Sequence, residues 1–300
     1  MSNLLLIDGT ALVFRGYYAL PPLKTSQDIP VNAVLGFFNI LVQLLLDRKP
    51  EYFAICFDRS EPTHRKIEYP EYKANRKKAP DDLYDQITLV RKILNDAKIN
   101  YIDSPGFEAD DIIATLSKNA DKLNIQIYSQ DFDLMQLISK NITVLKPDKS
   151  PQKYEEIDLH KFQEKYQILP SQVADYKGLA GDSSDNIPGV PGVGQKTATK
   201  LILEYQNLEN ILDNTDKIKG SLSQKLSDNK ELAILSKKLA SLHFNVPNLD
   251  YTKFSCDNIE YQKLIDDISE LELKTLTKKI QNLQDTLNKN ITVNTQESLF

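Results

Sequence analysis

The chain has 300 residues, 41% hydrophobic and 26% charged, with a formal net charge of −5. At about 150 residues per domain this length accommodates two domains, and the balance is that of a folded chain rather than a disordered one. The longest apolar stretch, Gly36–Leu46, is broken by Asn39 and Gln43 and is too short for a bilayer; Leu4–Ile7 has no basic region before it, and Cys56 and Cys256 build neither a disulfide framework nor a zinc site, so a cytoplasmic protein without membrane attachment is expected.

In chain order, Asn3–Asp8, Tyr52–Asp58, Tyr101–Asp103, Ile125–Gln130 and Ile142–Leu145 read as strands. Between them Val31–Asp47, Asp81–Ala97 and Asp110–Leu123 carry apolar residues at three- and four-residue spacing, the helical period. The alternation implies a mainly parallel α/β sheet with helices on both faces over residues 1–165. Beyond Asp148 no strand is expected. Asp158–Lys165, Pro170–Leu179, Thr197–Glu204, Ser223–Leu242 and Tyr261–Leu283 read as helices, giving a smaller all-α domain over 166–285, and the polar stretch 286–300 reads as a flexible tail.

Charge is uneven. From Arg59 to Lys78 seven Lys or Arg stand against three Glu, a local +4 that leaves the rest of the chain at −9. A cation stripe in an acidic protein is either a solvated loop or a phosphate-binding surface.

The acids fall at telling places. Asp8, Asp58 and Asp131 each end or follow a strand, Asp133 lies two residues on, Glu108, Asp110 and Asp111 stand at a helix entrance, and Asp182 and Asp185 follow in Gly181-Asp182-Ser183-Ser184-Asp185-Asn186. In an open parallel sheet ligands bind beyond the carboxyl ends of the strands. One aspartate there often serves only as a helix or turn cap, but nine acids directed to one edge repel unless cations neutralise them, and oxygen-only ligands select Mg²⁺ or Mn²⁺ over zinc. More carboxylates than one octahedral ion uses suggest two ions.

Gly189, Gly192 and Gly194, with Lys196 and Thr197, match neither a Walker loop, because Gln195 displaces the lysine by one place, nor a dinucleotide fingerprint, which needs a strand before it. They fit a glycine hairpin opening a helix at Thr197, a helix-hairpin-helix over about 186–204 that grips a duplex backbone through free amides.

With these pieces in place the chain resembles the 5′-nuclease domain of bacterial DNA polymerase I, in the flap endonuclease superfamily. The likeness runs over roughly residues 3–250. It rests on Leu6–Gly9 with Phe14–Pro22, on Tyr69–Arg76, Gly106–Asp111 and Gln130–Leu137, and on Gly181–Gly194. The resemblance implies a PIN-like nuclease fold and a two-metal 5′→3′ exonuclease and flap endonuclease acting on DNA in Okazaki-fragment processing and repair. It assigns Asp8, Asp58, Glu108 and Asp110 to one metal, and Asp131, Asp133 and Asp185, sharing Glu108, to a second, with Asp111 and Asp182 in support. Lys73 and Arg76 would steer the phosphate, Tyr72 would stack on a base, and Arg15 would lie near the cleft. Segment 65–82 would form an arch over single-stranded 5′ ends, and the hairpin would hold duplex with a K⁺ ion. Phe132 departs from the family, which usually has lysine there, and His64 replaces a more usual aromatic.

The chain stops where a full polymerase would continue, so it is read as a free-standing nuclease or the front of a longer protein. Its last residues, Gln296–Phe300, resemble the Q-x-x-L-F peptides that dock on sliding clamps. A nucleoid-associated bacterial monomer is expected. Two rival readings remain: a DNA-binding module with a vestigial metal site, against which the intact acids argue, and a small-molecule phosphatase, which has no use for a duplex hairpin.

Overall fold

The computed structural model of the protein describes residues 2–148 and 153–297, with side chains through residue 287. Its centre is a six-stranded sheet in the order β3-β2-β1-β4-β5-β6: β1 Asn3–Asp8, β2 Tyr52–Cys56, β3 Tyr101–Ile102, β4 Asn124–Tyr128, β5 Ile142–Pro147 and β6 Tyr154–Ile157. The first five are parallel. Leu4, Leu5, Leu6 and Ile7 are all fully buried, because a central parallel strand is covered on both faces. Leu4 and Leu6 belong to one apolar cluster and Leu5 and Ile7 to the other, the two-residue period of a strand dividing the core into two layers.

Strand β6 pairs antiparallel with β5, setting Ile157 beside Val144, although no strand was expected there. As an edge strand it carries Glu155 and Glu156, which pair with Lys165 and Arg48, so it shows no apolar run to read.

The β1–β2 connection holds α1, Gly9–Ala19, and α2, Asn32–Arg48. Helix α1 also escapes the sequence reading, since Gly9 and Gly16 look like breakers. A Cβ at Gly36 would lie 2.4 Å from the Gly16 Cα, so the glycines are what let α1 and α2 cross closely. Then come α3, His64–Glu68; α4, Asp81–Asp96; and α5, Ala109–Asn119.

After β6 the chain turns helical: α6 Leu159–Tyr166, α7 Val173–Ala180, α8 Gln195–Tyr205, α9 Leu208–Asp213, α10 Ser221–Asp228, α11 Lys230–Ala240, α12 Tyr261–Glu270 and α13 Lys274–Glu297. The single helix expected over Ser223–Leu242 is broken at Asn229, and that over Tyr261–Leu283 is broken where Glu272 takes a left-handed backbone, φ 62°. Helices α12 and α13 do not stay with the helical part. Leu264, Ile268, Leu276, Ile280 and Leu283 bury themselves in the cluster that holds Phe37, Phe38 and Val90 of α2 and α4, covering the outer face of the sheet. The flexible tail expected from residue 286 is also corrected: α13 runs to Glu297, and Leu287 packs on the same cluster. The peptide Gln296–Phe300 falls largely outside the described residues. Among the described residues no helix is long and apolar enough to cross a membrane.

Candidate active site

The strand order reverses between β1 and β4, and the crevice above their carboxyl ends is where such sheets bind ligands. A cavity of about 270 Å³ opens there, lined by Asp8, Asp58, Asp110 and Asp131 and faced by Thr10, Lys73 and Arg76. Each acid comes from a different element. Asp8 ends β1 and also caps α1, its Oδ1 accepting from the Ala11 amide at 2.9 Å while Oδ2 accepts from the Ser129 hydroxyl at 3.0 Å. Asp58 receives the Ala109 amide at the start of α5 at 2.9 Å, so the two strand-end aspartates are helix caps and cavity walls at once. Their crowding has an electrostatic signature. Burial first, then Asp58 and Asp131, pushes Asp8 up to about 7. Burial, then Asp131 and Asp8, holds Asp110 well above the usual carboxylate range, with Lys73 opposing.

A second set stands beside the first. Asp133, pushed up to about 7 by burial with Asp131 and Asp185 adding to it, meets Lys177 at 2.5 Å. The Lys177 ammonium, 3% exposed, also meets Asp182 at 2.6 Å. Burial opposes its charge, but Asp133, Asp131 and Asp182 keep it protonated. In return Lys177 and Ser184 outweigh burial and hold Asp182 down to about 2. Asp185 lies 2.6 Å from Arg76 and 3.7 Å from Lys73, which hold its carboxyl below the usual range against burial. Glu108 accepts from Lys73 at 2.9 Å and from the Tyr72 hydroxyl at 3.1 Å, so it faces Asp185 rather than the first cavity.

Asp111 leaves the acid set. Fully buried, it takes Arg65 bidentately at 2.7 and 2.8 Å and accepts the backbone amides of Glu108 and His243. As the third residue of α5 it points back along the helix, away from the cleft. The segment 65–82 does not stand open as an arch: apart from α3 and the first residues of α4 it is not helical, and the turns between them lie down on the carboxylates. Lys73 adopts a left-handed backbone, φ 56°, with its amide on the Asp185 carbonyl. Tyr72 is 3% exposed with its hydroxyl between Glu108 and Asp185, and in this position offers no face to a base. Arg15 turns toward the Asp148 carbonyl and the Tyr128 phenol at the β4–β5 side.

The glycine hairpin follows α7. Gly189 has φ 63° and packs so closely on Gly181 that a Cβ would lie 2.3 Å from its nitrogen, so its glycine serves packing. Gly192 and Gly194 are exposed, and α8 begins at Gln195, two residues before the expected Thr197, with no side-chain cap at Gly194. First-turn amides are therefore presented outward beside exposed Lys196, with Thr197 half-buried behind it.

Sequence reasoning missed Lys177, Arg65, Thr10 and Ser129. Lys177 and Arg65 are cations within acid-rich or basic stretches, and nothing local tells a buried ammonium from a solvated one.

Among the described residues no three acid, His or Cys side chains are already closed into a ligand set. The first group nevertheless fits a divalent cation: four carboxylates around one small cavity, with burial first and the neighbouring carboxylates next making Asp8 and Asp110 hard to ionise.

Acids gathered at the switch point of a parallel sheet, with an outward-facing amide hairpin on an attached helical unit, define an α/β nuclease architecture. Family models agree over most of the chain: 5′-3′ exonuclease, N-terminal resolvase-like domain, matches residues 3–167, and 5′-3′ exonuclease, C-terminal SAM fold, matches 168–265. The chain belongs to the 5′-3′ exonuclease family. A 5′-3′ exonuclease of Aquifex aeolicus is 36% identical over 94% of this chain and 96% of its own length. DNA polymerase I of Caldicellulosiruptor bescii is 42% identical over 93% of this chain but 33% of its own length, so the chain spans about a third of the polymerases it matches. In fold it is similar to a bacteriophage T5 flap endonuclease solved with DNA and metal ions, with a TM-score of 0.66 at 21% identity over 94% of this chain and 98% of that one. The catalytic core of Rad2 with DNA substrate gives 0.64 at 17% identity, covering 95% of this chain and 92% of that one.

Proposed function

We propose that the protein is a Mg²⁺- or Mn²⁺-dependent, structure-specific 5′→3′ exonuclease and 5′-flap endonuclease that serves Okazaki-fragment processing and DNA repair. The observation that carries this reading is the small cavity at the strand-order reversal, where Asp8, Asp58, Asp110 and Asp131 face Lys73 and Arg76. Asp8, Asp58, Asp110 and Asp131 would hold one ion, and Glu108, Asp133 and Asp185 a second once their lysine and arginine partners yield. Divalent cations bound there supply Lewis-acid polarisation of the phosphodiester and lower the pKa of water.

The chain's own residues do the rest. Lys73 and Arg76 exchange the carboxylates of Glu108 and Asp185 for the non-bridging oxygens of the scissile phosphate, so the segment now lying on the site moves as the strand enters. Thr10 accepts the Asp58 amide at 2.9 Å and fixes that wall of the cavity. Hydrolysis adds water at phosphorus and releases the 3′ oxygen, leaving a 5′-phosphate. Gly192, Gly194, Lys196 and Thr197 hold the downstream duplex by its backbone, with K⁺ as the ion suited to their carbonyls. Docking of Gln296–Phe300 on a sliding clamp, action as a monomer and a place at the nucleoid belong to the same reading.

The test is cleavage of an end-labelled double-flap DNA with Mg²⁺, Mn²⁺ or EDTA. Products at or next to the flap junction that need metal, and that vanish in Asp110→Ala while DNA binding persists, support the assignment. Tight binding without cleavage in either metal overturns it in favour of a DNA-binding module. Lys196→Ala is expected to weaken binding and flatten its salt dependence by about one unit of slope, with little effect on cleavage at saturating DNA.

A further inference from the structure

Phe132 stands between Asp131 and Asp133, yet its ring takes part in none of their contacts. It packs nearly parallel to Phe162 at 6.3 Å and meets Tyr166 and Tyr176 edge-on at 5.0 and 6.1 Å. Phe162 beneath it is fully buried, whereas Phe132, Tyr166 and Tyr176 pack against the same apolar cluster but are each only partly buried.

These three rings are the common wall of two concavities. One, of about 860 Å³, reaches the acids at Asp131 and Asp182. The other, of about 550 Å³, reaches α8 and is edged by Lys165, Lys196 and Lys200. The aromatic ridge therefore lies on the route from the amide hairpin to the carboxylates, with ammonium groups along the hairpin side. Lys177 reaches within 6.0 Å of the Phe132 ring and Lys165 within 5.9 Å of the Tyr166 ring. Lys177 is buried and committed to Asp133 and Asp182, but exposed Lys165, Lys196 and Lys200 beside partly exposed rings suit a polymer of alternating phosphates and flat bases, these cations taking the backbone and the rings taking the bases.

We propose that Phe132, backed by Tyr166 and Tyr176, is a stacking subsite for one nucleobase of the DNA strand that runs from the hairpin to the carboxylates. The inference rests on the nuclease reading and specifies which residue positions the strand next to the reacting phosphate. Phe132 is a positioning residue: it grips a base and fixes the register of the phosphate that enters the cavity.

The experiment measures equilibrium binding of a flap DNA to the full chain in EDTA, with 2-aminopurine placed in turn at each position flanking the junction, for the wild type and for Phe132→Ala, Phe132→Leu and Phe132→Trp. Base–aromatic stacking is worth about 1–3 kcal/mol, so Phe132→Leu and Phe132→Ala are expected to bind roughly five- to 150-fold more weakly. One 2-aminopurine position should be quenched by the wild type and by Phe132→Trp but not by the other two. The slope of log affinity against log salt should stay unchanged in all four proteins, because no phosphate contact is removed.

Leucine keeps most of the volume and apolarity, so Phe132→Leu and Phe132→Trp carry the test should alanine unfold the ridge. Wild-type affinity and unchanged quenching in Phe132→Leu overturn the proposal and leave Phe132 a packing residue. Flap cleavage by the wild type is scored separately: cleavage with an indifferent Phe132→Leu removes the subsite alone, whereas a wild type that neither binds nor cuts removes the nuclease reading as well.

Discussion

Lys177 holds a buried ammonium between the carboxylates of Asp133 and Asp182, with Asp131 adding to its field. Taking such a charge out of water costs several kcal/mol, which only close opposite charges repay. Removing it strands two acids that it now neutralises. Lys177→Met is therefore expected to destabilise the metal-free protein by about 3–5 kcal/mol. An added divalent cation can replace part of the missing charge, so millimolar Mg²⁺ should raise the melting temperature of Lys177→Met by more than it raises that of the wild type. Thermal melts of both proteins with and without Mg²⁺ check this, and an equal increment in the two would mean that Lys177 does not share the ion's place. The acids themselves were legible because a parallel strand ends at the ligand edge by construction, so Asp8 and Asp58 announce their position locally. The cations were not, since Lys177 finds Asp133 only through the fold.

At the scale of elements, Arg65 is the joint. Its guanidinium binds Asp111 of α5 bidentately, and also the carbonyl oxygens of Leu239 and Ser241 at the end of α11, at 2.9 and 2.8 Å. One side chain of α3 thus ties the α/β part to the helical part. Burial raises the Asp111 pKa, but Arg65 and two backbone amides overcome it and set the folded value below the ordinary 3.8. A depressed folded pKa gives stability that is complete above the unfolded value and is lost as pH falls through the folded one. Acidification from about pH 5 toward pH 2 should therefore unfold the wild type in part by protonating Asp111. Asp111→Asn, already lacking that charge, should start about 3–5 kcal/mol less stable at neutral pH and lose less over the same window. Urea unfolding at a series of pH values measures both slopes; parallel slopes would sink the assignment. Here the sequence was misleading in kind, for an acid next to Asp110 reads as one more metal ligand. The helical turn between Asp110 and Asp111 sends the two side chains about 100° apart, one to the cavity and one to Arg65.

At the scale of the whole molecule, the last described helices close the sheet rather than extend the helical domain. Leu276, Ile280 and Leu283 are fully buried, and Lys279 reaches Asn39 of α2 at 2.8 Å. Ile280→Ala leaves a cavity against α2 and is expected to cost about 2–5 kcal/mol, although Ile280 lines no part of the acid cavity. The measurement is a denaturation midpoint together with flap cleavage at a temperature where the variant stays folded. Lost stability with cleavage retained is the expected pair, and an unchanged midpoint would mean that α13 is not part of the core.

The parallel strands and the acids at the carboxyl edge were written locally, as apolar runs such as Leu4–Ile7 with an aspartate at the end; the strand order and the division of the core between the two faces of the sheet were not. The tertiary structure alone also decided which charges meet. Arg65 and Asp111 are 46 positions apart, Tyr72 and Asp185 113 apart, and Arg65 and Ser241 176 apart. No local pattern encodes such pairings, because each forms only when separate elements pack and exclude the water that would otherwise solvate both partners. Burial then decides whether a lysine is a solvated surface charge, as Lys196 is, or the counter-ion of a site, as Lys177 is.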